Sequence, residues 1–270
     1  MPEARFAWQG FSLPLSDEWR PAILSGGHRE GYVRLEGERE DAIQVRWKAG
    51  RAPRQLNQRV LKYFGNLEGA ARRRKLEFKG ELDPNDDGSV EFRWRAGLKG
   101  YGRMWHDAGT NRVMLFERSG RAKDSFKQEA RALWEALETF GSGLWPWSVV
   151  GLSVRVPAHY RLESWKLLSG RTTLAFRGRG AKVAADRWCF ASQLIARHGL
   201  TDWARAATGL SELVEERDGA VRLSGRPGLL SRARRWEVVA LVRHDPARNH
   251  LIVLHSEHAP GLGPEWEWLS

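Results

Sequence analysis

Two His-Asp pairs, His106-Asp107 and His244-Asp245, are by residue type the groups best suited to chemistry, since an imidazole beside a carboxylate can act as a general base. Each pair opens a short polar stretch, 107–111 or 245–249, where Asp and Asn side chains cap their own backbone. Adjacent residues on a strand also point to opposite faces. No Gly-x-Ser-x-Gly elbow accompanies either pair. The pairs therefore read as turns, and no catalytic residue is assigned.

Metal chemistry is the next possibility, with His250, His255 and His258 close to Glu257. His250 and His255 are separated by an odd number of residues, which puts them on opposite faces of a strand, and so are His255 and His258. The stretch Asp83-Pro84-Asn85-Asp86-Asp87-Gly88 matches the opening of a calcium loop, but its twelfth position is Trp94 where a bidentate Glu is needed. Gly97, Gly100 and Gly102 lack the Lys-Ser/Thr ending of a phosphate loop and read as twist or bulge positions in a strand. Cys189 stands alone and reads as a small buried hydrophobe. No metal or other cofactor is expected.

Basic residues next to aromatic ones are a different kind of site, because cations track phosphates and rings stack on bases. Arg72-Arg73-Arg74-Lys75 is expected to lead into a strand on which Arg73, Lys75 and Lys79 share a face with Glu77 and Glu81, and Arg232, Arg234 and Arg235 flank Trp236. These are the candidate residues for a nucleic-acid or acidic-protein partner. The whole chain carries a formal charge of +11, with Arg dominating over Lys. The charge is spread evenly, +5 in residues 1–141 and +6 in the remainder, so there is no dedicated basic arm.

The elements that position these residues recur along the chain. At a spacing of 141 residues, Gly10-Phe11-Ser12-Leu13-Pro14-Leu15 lies over Gly151-Leu152-Ser153-Val154-Arg155-Val156. Trp19-Arg20 then meets Tyr160-Arg161, Val33-Arg34-Leu35 meets Leu174-Ala175-Phe176, and Arg46-Trp47 meets Arg187-Trp188. The two polar turns follow at a spacing of 138, each preceded by an Arg-Trp pair, Arg93-Trp94 or Arg235-Trp236. The reading is an α+β chain made of two tandem copies of an antiparallel sheet unit with packed helices, related by a pseudo-twofold. The copies span 1–142 and 143–270. Trp47 and Trp188 are expected to fill equivalent core places, and Trp94 and Trp236 are expected in the core as well.

Within the first copy, alternating apolar and polar residues predict strands at 10–15, 21–25, 31–36 and 42–47. A helix over 53–64 places Leu56, Val60, Leu61 and Phe64 on one face, and an amphipathic helix over 124–140 closes the copy. In the second copy the helix is expected over 190–205. Asp-Asp-Gly at 86–88 and Asp218-Gly219 mark hairpin turns.

This unit, with a Leu13-Pro14 strand followed by Trp19 and a Val156-Pro157 strand followed by Tyr160, resembles the α/β sandwich of the PsbP and DcrB family. Members of that superfamily mostly act by binding partners, so the resemblance implies a non-enzymatic binding role and transfers no functional residue. The leading expectation is a binding or adaptor protein with a basic surface for an acidic macromolecule. A hydrolase-type enzyme with a His/Asp site between the repeats, or a structural subunit of a larger assembly, are the rivals. No run of about 18 apolar residues occurs, Met1-Pro2-Glu3-Ala4-Arg5 lacks a signal-peptide character, and the single Cys suits a reducing compartment. The chain is expected in the cytoplasm; no oligomeric state is assigned.

Overall fold

Period-two alternation turns one side of each strand to the core, and the strands pair through short turns at the positions where Gly, Asn and Asp tolerate positive φ. The computed structural model describes residues 5–16, 18–51, 55–225 and 236–262. It divides into two units, Met1–Gly141 and Ser142–Ser270.

In the first unit, β3 (Arg20–Gly26), β4 (Glu30–Glu36), β5 (Ala42–Ala49), β6 (Lys79–Pro84), β7 (Val90–Ala96), β8 (Leu98–Asp107) and β9 (Arg112–Arg121) form one antiparallel sheet. Its order is β3-β4-β5-β9-β8-β7-β6. One face carries α1 (Leu56–Arg73), which lies mainly over β6, β7 and β8. Leu56, Val60, Tyr63 and Phe64 of α1 close a core with Val90, Phe92, Met104, Val113 and Leu115. The other face packs on the hairpin of β1 (Arg5–Trp8) and β2 (Phe11–Pro14), extended by β10 (Glu138–Thr139), and on α2 (Lys127–Glu135). There Phe11 meets Trp47 at 5.6 Å and Phe116 meets Trp134 at 6.1 Å. Gly100 and Gly102 of β8 leave room for rings: a Cβ at Gly102 would lie 2.3 Å from Phe92 and 2.5 Å from the Phe116 carbonyl oxygen.

The second unit opens with the hairpin of β11 (Leu144–Val149) and β12 (Leu152–Pro157). Its large sheet contains β13 (Arg161–Leu167), β14 (Arg171–Gly178), β15 (Ala181–Cys189), β16 (Glu212–Arg217), β17 (Ala220–Gly225), β18 (Glu237–Asp245) and β19 (His250–His258). The order is β13-β14-β15-β19-β18-β17-β16, antiparallel throughout. Helices α3 (Ala191–Ile195) and α4 (Gly199–Thr208) occupy the β15-to-β16 connection, and Ala204 of α4 joins Val221, Leu223, Val238, Ala240, Val242 and Val253 in a core.

The molecule is dominated by antiparallel sheet, with fewer helical residues than the α+β expectation implies. The expected strands and hairpin turns of the first copy are present, and the helices differ in detail. The 53–64 helix runs on to Arg73, because Leu67 and Ala71 continue its apolar face, and Leu61 points outward. Arg72 and Arg73 are therefore the last turn of a helix, and Arg74 is its cap. Lys75 takes φ 56°, and β6 begins only at Lys79, so the expected shared strand face of Arg73, Lys75 and Lys79 does not exist. Gly199 at φ 77° breaks the 190–205 helix in two. The 124–140 helix stops at Glu135, and Glu138–Thr139 pairs with β2 instead.

Candidate binding face of the first sheet

The chain places a charged residue in the middle of its most buried strand. Glu117 follows Val113, Met114, Leu115 and Phe116 in β9 and is fully buried. It sits between Gln44 on β5 and Gly102 on β8, on the face that α1 covers. Tyr63 of α1 donates its hydroxyl to Glu117 Oε2 at 2.6 Å, Trp94 Nε1 donates to the same oxygen at 2.8 Å, and Gln44 Nε2 donates to Oε1 at 3.1 Å. Tyr32 completes the chain by donating to Gln44 Oε1 at 2.9 Å. Burial pushes the Glu117 carboxyl above the usual carboxylate range, against the opposing pull of the Tyr63 and Trp94 hydrogen bonds and of Arg46 and Arg34. Burial likewise raises the Tyr63 hydroxyl, helped by the Glu117 charge.

Above this buried carboxyl the sheet face opens to solvent. The Arg46 guanidinium lies 4.6 Å from the Tyr32 ring centre and 5.4 Å from that of Tyr63, and its head is exposed. Among the described residues no carboxylate lies within ion-pair distance of it. Arg34 and Lys48 share the face and pair with Glu36 and Glu30 at 2.9 and 3.2 Å. On α1, Arg59 and Lys62 are exposed, and Arg72, Arg73, Arg74 and Lys75 end the helix roughly 15 Å beyond Tyr63 at 1.5 Å per residue. Arg72 pairs with Glu68.

Sequence reasoning named Arg72 to Lys75 and Trp94 but missed Glu117, Tyr63, Tyr32, Arg34 and Arg46. A readable signal was there: a Glu inside an otherwise apolar strand run demands donors, and the Tyr and Trp positions at matching phase supply them. Arg232, Arg234 and Arg235 lie outside the described residues. Trp236 is half-buried.

The His-Asp pairs are the last residues of β8 and β18, and each Asp closes the turn that follows. Asp107 accepts from the Thr110 backbone N–H at 2.8 Å and from its hydroxyl, and from Thr139 at 3.0 Å; Asp245 accepts from the Arg248 N–H at 3.2 Å. His106 does border a cleft of about 500 Å³ with Asp87, Arg103, Trp105 and Glu135. Its Nε2 is held between the Gly50 carbonyl and Asn111 at 3.2 Å each, while the Ser89 hydroxyl accepts from Asn85 and Arg103. No base-to-nucleophile bond joins them among the described residues. Asp87 caps the loop that resembled a calcium site, accepting from the Ser89 N–H at 2.9 Å and pairing with Arg103. Among the described residues, no three of His, Cys, Asp and Glu gather closely enough to hold a metal ion. Nor is any described helix long and apolar enough to cross a membrane.

In the second unit, His255 stands between Ala184 and Ala240 as Glu117 stands between Gln44 and Gly102. Burial lowers its pKa, against the pull of Glu257 and Asp186. The tryptophans do not correspond in the same way. Trp47 is buried against Phe11, faces Gly31 across the ladder and donates Nε1 to the Gly27 carbonyl at 2.8 Å. Trp188 faces Arg171, is half-buried and meets Trp203 of α4 at 5.6 Å, on the helix side of its sheet. Each lies on the third strand in the order of a seven-stranded sheet, but one faces the hairpin and the other the helices, which corrects the expectation of like places. The connection between β4 and β5 spans 37–41, whereas β14 and β15 are joined by the tight turn Arg179-Gly180. Arg187 takes the inward place instead.

No family model matches the chain, and no curated protein matches it. Among solved structures it is similar to the cyanobacterial PsbP of Synechocystis sp. PCC 6803, at 12% identity and a TM-score of 0.38, over 50% of this chain and 91% of that one.

Proposed function

We propose that the protein is a non-enzymatic binding protein built from two copies of one sheet unit, and that the α1 side of the first sheet takes an acidic macromolecule, single-stranded nucleic acid by preference. The observation that carries this reading is Arg46, an exposed cation laid on two tyrosine rings with no carboxylate partner among the described residues. Cations on α1 and on the neighbouring strands continue the field, and Glu30, Glu36 and Glu68 oppose it. Stacked rings and guanidinium planes accept any base, while the surrounding cations pair with phosphates. The duplication draws support from the shared strand order, from a helical connection after the third strand of each large sheet, and from the preceding hairpin in both units.

Fluorescence anisotropy with a labelled oligo-dT strand, at 50 and 200 mM salt, tests the reading. Affinity should fall steeply with salt through counterion release. Changing Arg34, Arg46 and Lys48 together to Ala should weaken low-salt binding roughly 10- to 100-fold and flatten the salt dependence, with the slope reduced by about 2 for three lost phosphate contacts. Absence of binding at 50 mM salt removes the nucleic-acid version. Binding of polyglutamate in its place, abolished by the same triple change, would assign the face to an acidic protein.

A further inference from the structure

Three arginines are buried on the hairpin-covered faces of the two large sheets, and two of them meet acceptors at both terminal nitrogens or at a carboxylate, although Arg112 Nε, like that of Arg187, has no hydrogen-bond partner among the described residues. Arg118 is held by Asp41 at 3.2 Å and Glu129 at 3.0 Å. Arg112 donates Nη1 to the Gln9 carbonyl at 2.7 Å, in the tight turn Gln9-Gly10 of the β1–β2 hairpin, and its Nη2 lies 2.8 Å from His28 Nδ1. Burial pushes Arg112 down to about 10.

Arg187 of the second unit is different. It is only 7% exposed, and its Nε is buried with no hydrogen-bond partner among the described residues. Nη2 reaches the fully buried Thr172 hydroxyl only at 3.4 Å. Nη1 lies against Gly151 in the turn Val150-Gly151, whose two residues both take positive φ, as Gln9 and Gly10 do. A Cβ at Gly151 would sit 2.9 Å from Nη1, so the guanidinium packs against the glycine backbone more closely than a side chain there would allow. No carboxylate lies within ion-pair distance among the described residues, and His250 beside it is held below its ordinary pKa by burial and by this same cation. A guanidinium out of water with most of its five donors unused is costly until a charge-assisted acceptor meets it.

We propose that Arg187, with Thr172, binds a small tetrahedral oxyanion of the phosphate kind. The fork of the guanidinium matches two of its oxygens, and the Thr172 hydroxyl can donate to a third. This site is separate from the face proposed for an acidic macromolecule and lies wholly in the second unit.

Thermal unfolding of the full chain in potassium phosphate, with ionic strength held constant by KCl, tests it. The wild-type midpoint should rise saturably by roughly 5 °C, because a ligand that binds only the folded state stabilises it by mass action. In Arg187→Met the rise should vanish, and the midpoint in KCl alone should equal or exceed the wild type, since a buried unpaired cation has become apolar. If the Met variant does not fold, Arg187→Lys should need at least fivefold more phosphate for half of the rise, having lost the fork. Glycerol 3-phosphate in place of phosphate separates the two sources of the group: an equal rise assigns the site to phosphate esters as well, a smaller one to the free anion. No rise over KCl in the wild type, or an equal rise in Arg187→Met or Arg187→Lys, overturns the proposal.

Discussion

Glu117→Ala is expected to destabilise the first unit by about 3–5 kcal/mol, because it strands the Tyr63 hydroxyl, the Trp94 N–H and the Gln44 amide in a dry interior while opening a cavity. Glu117→Gln keeps an acceptor for Tyr63 and Trp94 but turns an NH2 group toward Gln44, and should cost about 1–2 kcal/mol. Urea unfolding followed by tryptophan fluorescence at pH 7 reads both. The pH dependence has a definite sign. The folded carboxyl titrates above its unfolded value, so both states are protonated below the ordinary carboxylate range and the full stabilisation is present there. As pH rises above that range the unfolded chain ionises first, and stability falls until the raised folded value is passed. Glu117→Gln should abolish this fall. Equal pH slopes for wild type and Glu117→Gln would show that the carboxyl titrates normally.

Trp47→Ala and Trp188→Ala should differ sharply. Trp47 is 2% exposed, packs on Phe11 and has its N–H bonded to Gly27, so truncation should cost about 3–5 kcal/mol. Trp188 is half-buried under Arg171, whose guanidinium lies 4.2 Å from its ring, and against Trp203; its loss should cost about 1–2 kcal/mol. Urea midpoints of the two variants decide the matter. Equal losses would mean that the rings fill equivalent places after all.

Several elements were legible before the fold was seen. The strands around Leu13, Val33 and Val45 follow from strict alternation, and Asp107, Asp218 and Asp245 mark turns because their carboxylates and neighbouring Gly or Asn residues tolerate the bend. The helix at Leu56 was readable from its apolar stripe, but its end was not: Arg72 and Arg73 are good helix formers, and nothing local distinguishes a basic last turn from a basic strand. The candidate site was mostly hidden. Arg72 to Lys75 stood out as a run, whereas Arg46 drew notice only beside Trp47, because its importance lies in having Tyr32 and Tyr63 beneath it, residues separated by 14 and 17 positions in the chain.

By itself, then, the amino-acid order determined where strands alternate, where turns fall, and that two stretches of similar phase follow one another, since period and turn chemistry are local properties. Tertiary structure alone decided which face each side chain occupies. The side chain toward the hairpin is Trp47 on β5 but Arg187, not Trp188, on β15, and α1 brings Tyr63 to Glu117 across 54 positions. Register and helix placement depend on pairing between distant segments, and a sum over neighbours along the chain does not contain them.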